Sequence, residues 1–122
     1  MPELPEVEFA ARSLRAWTTG RRLVRVEADP GARYVFRPST PRLFARAVEG
    51  ADFGAIRRIG KQLLVALTRD GAPVGLLAHL GMTGKWLRRA ATEPPTRFSR
   101  ARLSLDDGAV LHFDDLRMFG RL

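Results

Sequence analysis

The sequence contains no cysteine, only two histidines and no long apolar run. Without thiols the chain can form neither a disulfide framework nor a thiolate zinc site, and two histidines do not favour a structural metal site. No apolar stretch approaches the roughly 18 residues that cross a bilayer. The N-terminus carries acidic residues where a signal peptide carries basic and apolar regions. We therefore expect a cytoplasmic protein with no membrane partner and no metal or other cofactor in this chain.

Lysine is also scarce, with two lysines against 19 arginines in 122 residues and a formal net charge of +8. The excess of positive charge favours an anionic partner such as nucleic acid. The arginine bias of a GC-rich genome is an alternative explanation for part of it, so the two lysines are more informative than the arginines. The length fits one domain, residues 1–122, and we expect a monomer.

Two helices are predicted from the apolar spacing. Residues 5–19 place Pro5 in the first turn and Gly20 at the C-terminal stop. Their apolar residues form a single stripe: Val7, Ala10, Ala11, Leu14 and Trp17. A shorter helix is predicted over 40–50, with Thr40 as its N-cap.

Between and after the helices the apolar period changes to that of strands. The strand-like stretches are RRLVRVEAD, ADFGAIRRI, KQLLVALT, VGLLAHL, KWLRR, RARLSLD and AVLHFDD, with YVFRP as a further short strand. RDGAP and DDGA are turn signals, and the prolines of AATEPPT predict a loop. The pattern predicts a mainly β fold, an antiparallel β-sandwich flanked by a long N-terminal helix and a short second helix.

The opening MPELPEVE suggests chemistry at the chain terminus. A methionine before a small residue is normally removed, which leaves Pro2 with a free secondary amine. A terminal amine has a pKa near 7.7–8.0, well below about 10.4 for lysine, so more of it is unprotonated at neutral pH. Such an amine can attack an aldehyde-like carbon to form an iminium, and Glu3 could transfer the protons. The alternative is a simple proline-containing helix start.

Three further stretches could contact a ligand. In IRRIGKQLL, Lys61 follows a glycine and could meet a phosphate, or it could be a solvated residue at a strand end. In HLGMTG, Met82 is either packed into the core or exposed as an apolar wedge of the kind that separates DNA base steps. In FDDLRMFG, Arg117 and Phe119 share a face of an extended chain and could fill a vacated base position. The alternative is a last strand with a core phenylalanine and a surface arginine.

Together, MPELPEVE, RRIGKQLL, HLGMTG and DLRMFG resemble the formamidopyrimidine-DNA glycosylase and endonuclease VIII family of base-excision repair enzymes. These pieces span the whole chain in family order, and they are more similar to the formamidopyrimidine branch. The resemblance implies double-stranded DNA with an oxidised base or an abasic site as the partner. It also implies a nucleoid-associated protein that removes oxidised purines such as 8-oxoguanine, followed by β,δ-elimination.

The resemblance also implies a role for each candidate residue. Pro2 would attack the sugar C1′ of the damaged nucleotide, Glu3 would be the acid and base that opens the sugar ring, and Glu6 would be a supporting carboxylate. Lys61 would contact a phosphate near the lesion, with His79 as a second backbone contact. The residues that would fill the gap left by the flipped base are Met82, Arg117 and Phe119.

The sequence departs from the family by lacking its helix–two-turn–helix region and four-cysteine zinc finger. Both walls of a DNA cleft are needed for tight binding, because a few phosphate contacts give only weak, salt-sensitive affinity. We therefore expect the isolated chain to be weakly active or inactive, and a non-catalytic DNA-binding module is the alternative. A tautomerase with an N-terminal proline is disfavoured, because there the proline begins a strand and here a helix follows.

Overall fold

A computed structural model describes residues 4–29, 33–36, 40–80 and 84–115. The chain begins with helix α1 (Leu4–Thr18) and strand β1 (Leu23–Ala28), which are followed by a 3-10 turn (Arg33–Phe36) and helix α2 (Pro41–Val48). The remaining strands are β2 (Asp52–Ile59), β3 (Gln62–Arg69), β4 (Ala72–His79), β5 (Lys85–Ala90), β6 (Ser99–Leu105) and β7 (Ala109–Asp114).

The described strands form two antiparallel sheets, one in the order β1-β6-β7-β5 and the other in the order β2-β3-β4. Apolar residues alternate along the strands and meet in one shared core, to which β3 contributes Leu63, Val65 and Leu67. The four-stranded sheet contributes Leu103 and Leu111 among others. The predicted antiparallel β-sandwich with helices is therefore confirmed.

The two sheets are joined where β1 and β2 begin. The Leu23 amide donates to the Ala51 carbonyl over 2.8 Å, and the Gly50 amide donates to the Leu23 carbonyl over 2.7 Å. The Phe53 amide donates to the Arg21 carbonyl over 3.0 Å. These bonds hold the two layers in a fixed relation at this corner of the sandwich.

Both helices lie where the apolar pattern placed them. In α1 the predicted stripe faces inward, with Val7, Ala11 and Leu14 buried against the sheets. The helix starts one residue earlier than predicted, and Gly20 adopts the positive φ of 73° that ends it. In α2 the Thr40 side chain accepts a hydrogen bond from the Leu43 amide over 3.2 Å, as an N-cap does.

The prediction of a short strand at YVFRP is wrong. Residues 33–36 form one 3-10 turn, and both Val35 and Phe36 are fully buried. A strand would point these neighbours to opposite faces, whereas a turn lets both pack inward. The Phe36 ring packs edge-on against Phe44 of α2, with 5.1 Å between the ring centroids.

Candidate active site

The structure describes three of the predicted site residues, Glu6, Lys61 and His79. The others lie outside the described residues: Pro2, Glu3, Met82, Arg117 and Phe119. The site must therefore be assembled from the three described side chains and from the segments that flank the others.

Glu6 lies on the first turn of α1 and is exposed to solvent. It lines a groove of about 550 Å³ between α1 and the start of β5. Phe9 stands at this groove with 72% of its side chain exposed, and Trp86 forms its floor with an indole N–H that has no hydrogen-bond partner among the described residues. Leu80 also lines the groove. The Glu6 carboxylate thus lies at the edge of a groove that is lined mainly by apolar side chains.

Lys61 lies in the two-residue turn between β2 and β3, directly before the strand that it was predicted to open. Gly60, the first residue of this turn, has a φ of 61°, which a glycine adopts without strain. His79 ends β4 and pairs with Gln62, the residue after Lys61. Lys61 is exposed and His79 is half-buried. Both therefore lie at the same end of the three-stranded sheet.

The first turns of α1 reach the Lys61 turn through one arginine. Arg58 Nε lies 3.1 Å from Glu8 Oε2, and Arg58 Nη1 donates to the Gly60 carbonyl over 3.1 Å. Arg12 and Arg15 lie 3.7 and 3.6 Å from Glu8 Oε1. The pKa of Glu8 is lowered, chiefly by the hydrogen bond from Arg58 and further by the positive charges of Arg15 and Arg12. A carboxylate is therefore held ionised among three arginines beside the lysine-bearing turn.

The described residues that flank Met82 and precede Arg117 lie close together. The Gly84 amide donates to the Leu80 carbonyl over 2.8 Å, which brings together the two ends of the 81–83 segment. Asp114 at the end of β7 pairs with Lys85 at the start of β5. The strand that leads towards Arg117 and Phe119 thus ends next to the strand that follows Met82.

Sequence reasoning missed the contact from Arg58 to Glu8 and the apolar groove. The available signal for the groove was that Phe9 falls outside the apolar stripe of α1, which leaves an aromatic ring without a place in the core. For Arg58 the local signal was no more than a pair of adjacent arginines shortly before Gly60. A contact across 50 residues cannot be read from local spacing.

The described residues contain no group of three or more His, Asp or Glu side chains that could hold a metal ion. The whole sequence lacks cysteine, so these residues do not fit a four-cysteine zinc finger. Neither described helix has the length and apolar character needed to cross a membrane.

Comparison with known proteins matches the whole chain to one family. The family of the formamidopyrimidine-DNA glycosylase N-terminal domain matches residues 1–122. A formamidopyrimidine-DNA glycosylase of Salinispora arenicola is 38% identical over 123 residues, which cover 100% of this chain and 42% of the relative. The chain thus spans about two fifths of the length of the curated relatives it matches.

Solved structures show the same similarity in three dimensions. A complex of Lactococcus lactis Fpg (MutM) with DNA containing FAPY-dG has a TM-score of 0.86 at 25% identity, covering 98% of this chain and 42% of that one. The Lactococcus lactis enzyme bound non-covalently to DNA with an AP site has a TM-score of 0.87 at 27% identity, covering 98% of this chain and 44% of that one.

Proposed function

Because the chain belongs to the formamidopyrimidine-DNA glycosylase family, we propose that it is the catalytic domain of a DNA glycosylase and AP lyase acting on oxidised purines. Its partner is double-stranded DNA that carries an oxidised base or an abasic site. The proposed location is the cytoplasm, associated with the nucleoid.

One structural observation carries the proposal. The first turn of α1, the Lys61 turn and the end of β4 meet at one end of the sandwich, although they are about 50 and 70 residues apart in the sequence. A carboxylate, an exposed lysine and a histidine near the chain terminus are the groups that a phosphate-bound abasic sugar requires. The net charge of +8 provides the general attraction for the DNA backbone.

The proposed nucleophile is the secondary amine of Pro2 after removal of Met1. Its lone pair forms a bond to the sugar C1′, and the damaged base leaves with the electrons of the glycosidic bond. The amine gives up its N–H proton to the departed base, Glu3 protonates the ring oxygen, and the C1′–O4′ bond breaks, so the sugar ring opens and an iminium forms. Loss of the C2′ proton then expels the 3′ phosphate, and a second elimination expels the 5′ phosphate. Water finally hydrolyses the iminium and restores the amine.

The remaining residues bind and orient the DNA in this proposal. Glu6, at the mouth of the groove, stabilises the positive charge that develops on the sugar and the amine. Lys61 and His79 contact the phosphates that flank the lesion. The gap left by the flipped nucleotide is filled by Met82, Arg117 and Phe119.

We further propose that the 122 residues alone excise bases slowly and bind DNA weakly. The relatives are more than twice as long, and a DNA cleft with one wall makes only part of the phosphate contacts. A non-catalytic DNA-binding module therefore remains the alternative function for the chain by itself.

The two functions are separated by borohydride trapping on an abasic-site oligonucleotide, with protein in excess. Intact mass must first establish that Met1 is absent, because an amide nitrogen at Pro2 cannot attack. The enzyme is expected to form a covalent adduct that is absent in protein that retains Met1 and reduced at least about 100-fold in Glu3→Gln. Its absence in protein that begins at Pro2 would support the binding module instead.

The matched control is Glu27→Gln. Glu27 is an exposed residue of β1 in the other sheet, and its removal changes the charge by the same amount. We expect the wild-type amount of adduct from this variant. A loss equal to that of Glu3→Gln would indicate that net charge, and not proton transfer, limits the reaction.

A further inference from the structure

We propose that Glu8 and Arg58 are positioning residues that hold the Lys61 turn at a fixed place relative to the first turn of α1. This inference rests on the proposed function, since it concerns how the phosphate contact is aligned with the terminal amine. Neither side chain need touch the DNA for this role.

The geometry of Arg58 supports the proposal, because its guanidinium makes two contacts to two different elements. Nε reaches the Glu8 carboxylate on α1, and Nη1 reaches the carbonyl of Gly60 in the turn itself, each over 3.1 Å. Arginine presents its donors in a planar fork, so fixing one contact also fixes the direction of the other. The carbonyl thus held belongs to the residue directly before Lys61.

Glu8 is well suited to anchor this arginine. Its second carboxylate oxygen lies 3.6 Å from Arg15, which in turn donates from Nε to the Ile56 carbonyl over 2.8 Å. The helix is therefore joined to β2 at two points, Ile56 and Arg58, two residues apart on the strand. With two attachment points α1 cannot rotate against β2 about a single contact.

This arrangement matters because a short turn at the end of a hairpin is free to move unless something outside the hairpin holds it. The strand pairing stops at Ile59 and Gln62, so Gly60 and Lys61 lie beyond the last paired residues of the hairpin. Shifting a reacting group by about 1 Å can cost about 100-fold in rate. The bridge from Glu8 lies outside the ladder and adds a restraint on the turn that the strand pairing does not provide.

The direct test measures backbone ¹⁵N order parameters of Gly60 and Lys61 in the wild type, Glu8→Gln and Arg58→Gln. We expect a fall from about 0.85 to about 0.6 in both variants. Arg57→Gln is the matched control, because Arg57 is the exposed neighbour of Arg58 and its side chain makes no hydrogen bond or ion pair within the described part of the chain. Unchanged order parameters in Glu8→Gln and Arg58→Gln would overturn the proposal.

The functional test measures the rate of borohydride trapping at saturating abasic-site DNA. We expect a loss of about tenfold in Glu8→Gln, in Arg58→Gln and in the double variant alike, because all three remove the same bridge. Arg58→Lys should not restore the rate, since a point charge cannot keep both contacts. Arg57→Gln should raise only the half-saturating DNA concentration. Additive losses, or a full rate in Arg58→Lys, would contradict a positioning role.

The two proposals fail in different ways. If wild-type protein that begins at Pro2 gives no adduct, the proposed function is contradicted, and the order parameters still decide the inference. If the wild type forms the adduct and the variants trap at the same rate with unchanged order parameters, only the inference is wrong. Melting temperatures within about 5 °C of the wild type are expected throughout, because the bridge is exposed.

Discussion

At the scale of single residues, His112 is a polar ring buried inside the four-stranded sheet. Only 2% of it is exposed, its Nδ1 lies 2.8 Å from the Ser99 hydroxyl, and its Nε2 has no partner within the described residues. Burial lowers the pKa of His112, and the positive charges of Arg102 and Arg89 lower it further. The folded protein therefore holds this histidine neutral.

The first prediction is that stability falls between pH 6.5 and 5 because of His112. The unfolded chain binds a proton near the ordinary pKa of about 6.5, whereas the folded chain resists it, so the free energy of unfolding decreases as pH falls through this window. The loss is at most about 1.4 kcal/mol per pH unit. Thermal unfolding of His112→Gln should be nearly flat over the same range. The carboxylates with lowered pKa values, Glu8 and Asp107, affect stability only below about pH 4.5.

A wild-type melting temperature that does not change between pH 6.5 and 5 would contradict this assignment. So would a His112→Gln variant that keeps the full wild-type slope, because the titrating group would then lie elsewhere.

The second prediction concerns Lys61 as a phosphate contact. Lys61→Gln should weaken binding to abasic-site DNA and reduce the slope of log K against log salt by about 0.9, the value for one lost phosphate contact. The control Arg25→Gln removes an equal charge from β1, in the other sheet. Fluorescence anisotropy between about 50 and 200 mM salt measures both. Equal slopes for Lys61→Gln and the wild type would show that Lys61 makes no phosphate contact.

At the scale of elements, the sequence predicted the helices, strands and tight turns that depend on local residue patterns. Short apolar, strand-like stretches located the strands of the described residues, and Asp70 and Gly71, with φ values of 52° and 79°, form the two-residue turn that their residue types favour. The 3-10 turn was missed because an element of four residues is too short to display a period. There the fold was decided by two neighbouring apolar side chains, Val35 and Phe36, that both had to reach the core.

The third prediction is that Gly84→Ala destabilises the loop that precedes β5. A Cβ at this position would clash with the Leu80 carbonyl oxygen and lie 3.0 Å from the Phe113 ring, so the backbone must shift. We expect a loss of about 1–3 kcal/mol in the free energy of unfolding, measured by urea denaturation. Because Gly84 directly follows residues 81–83, which include the proposed DNA contact Met82, trapping at the abasic site should fall as well.

Gly75→Ala is the matched control for this change. Its Cβ would meet only the flexible Leu64 Cδ1 at 3.6 Å, an ordinary contact distance. We expect a change of less than about 0.5 kcal/mol. Equal destabilisation in the two variants would show that glycine content in general, and not the close approach at Gly84, limits stability.

At the scale of the whole molecule, the sandwich brings together groups that the sequence presents as separate motifs. The motif order and the resemblance named Glu6, Lys61 and His79 as partners, but no local pattern shows that α1 crosses the end of the β2–β3 hairpin. That arrangement depends on Arg58 and on the packing of the α1 stripe against the sheets. This arrangement of α1 against the β2–β3 hairpin can be seen only in the three-dimensional structure.

The central claim is that the terminal amine of Pro2 is the group that joins the DNA, and mapping the trapped adduct tests it most directly. The sequence offers two primary side-chain amines that could form a Schiff base instead, Lys61 and Lys85. After borohydride trapping, proteolysis and tandem mass spectrometry should find the sugar fragment on the peptide that begins with Pro2, with both lysines unmodified. A fragment found on Lys61 or Lys85, with an unmodified terminal peptide, would contradict the claim.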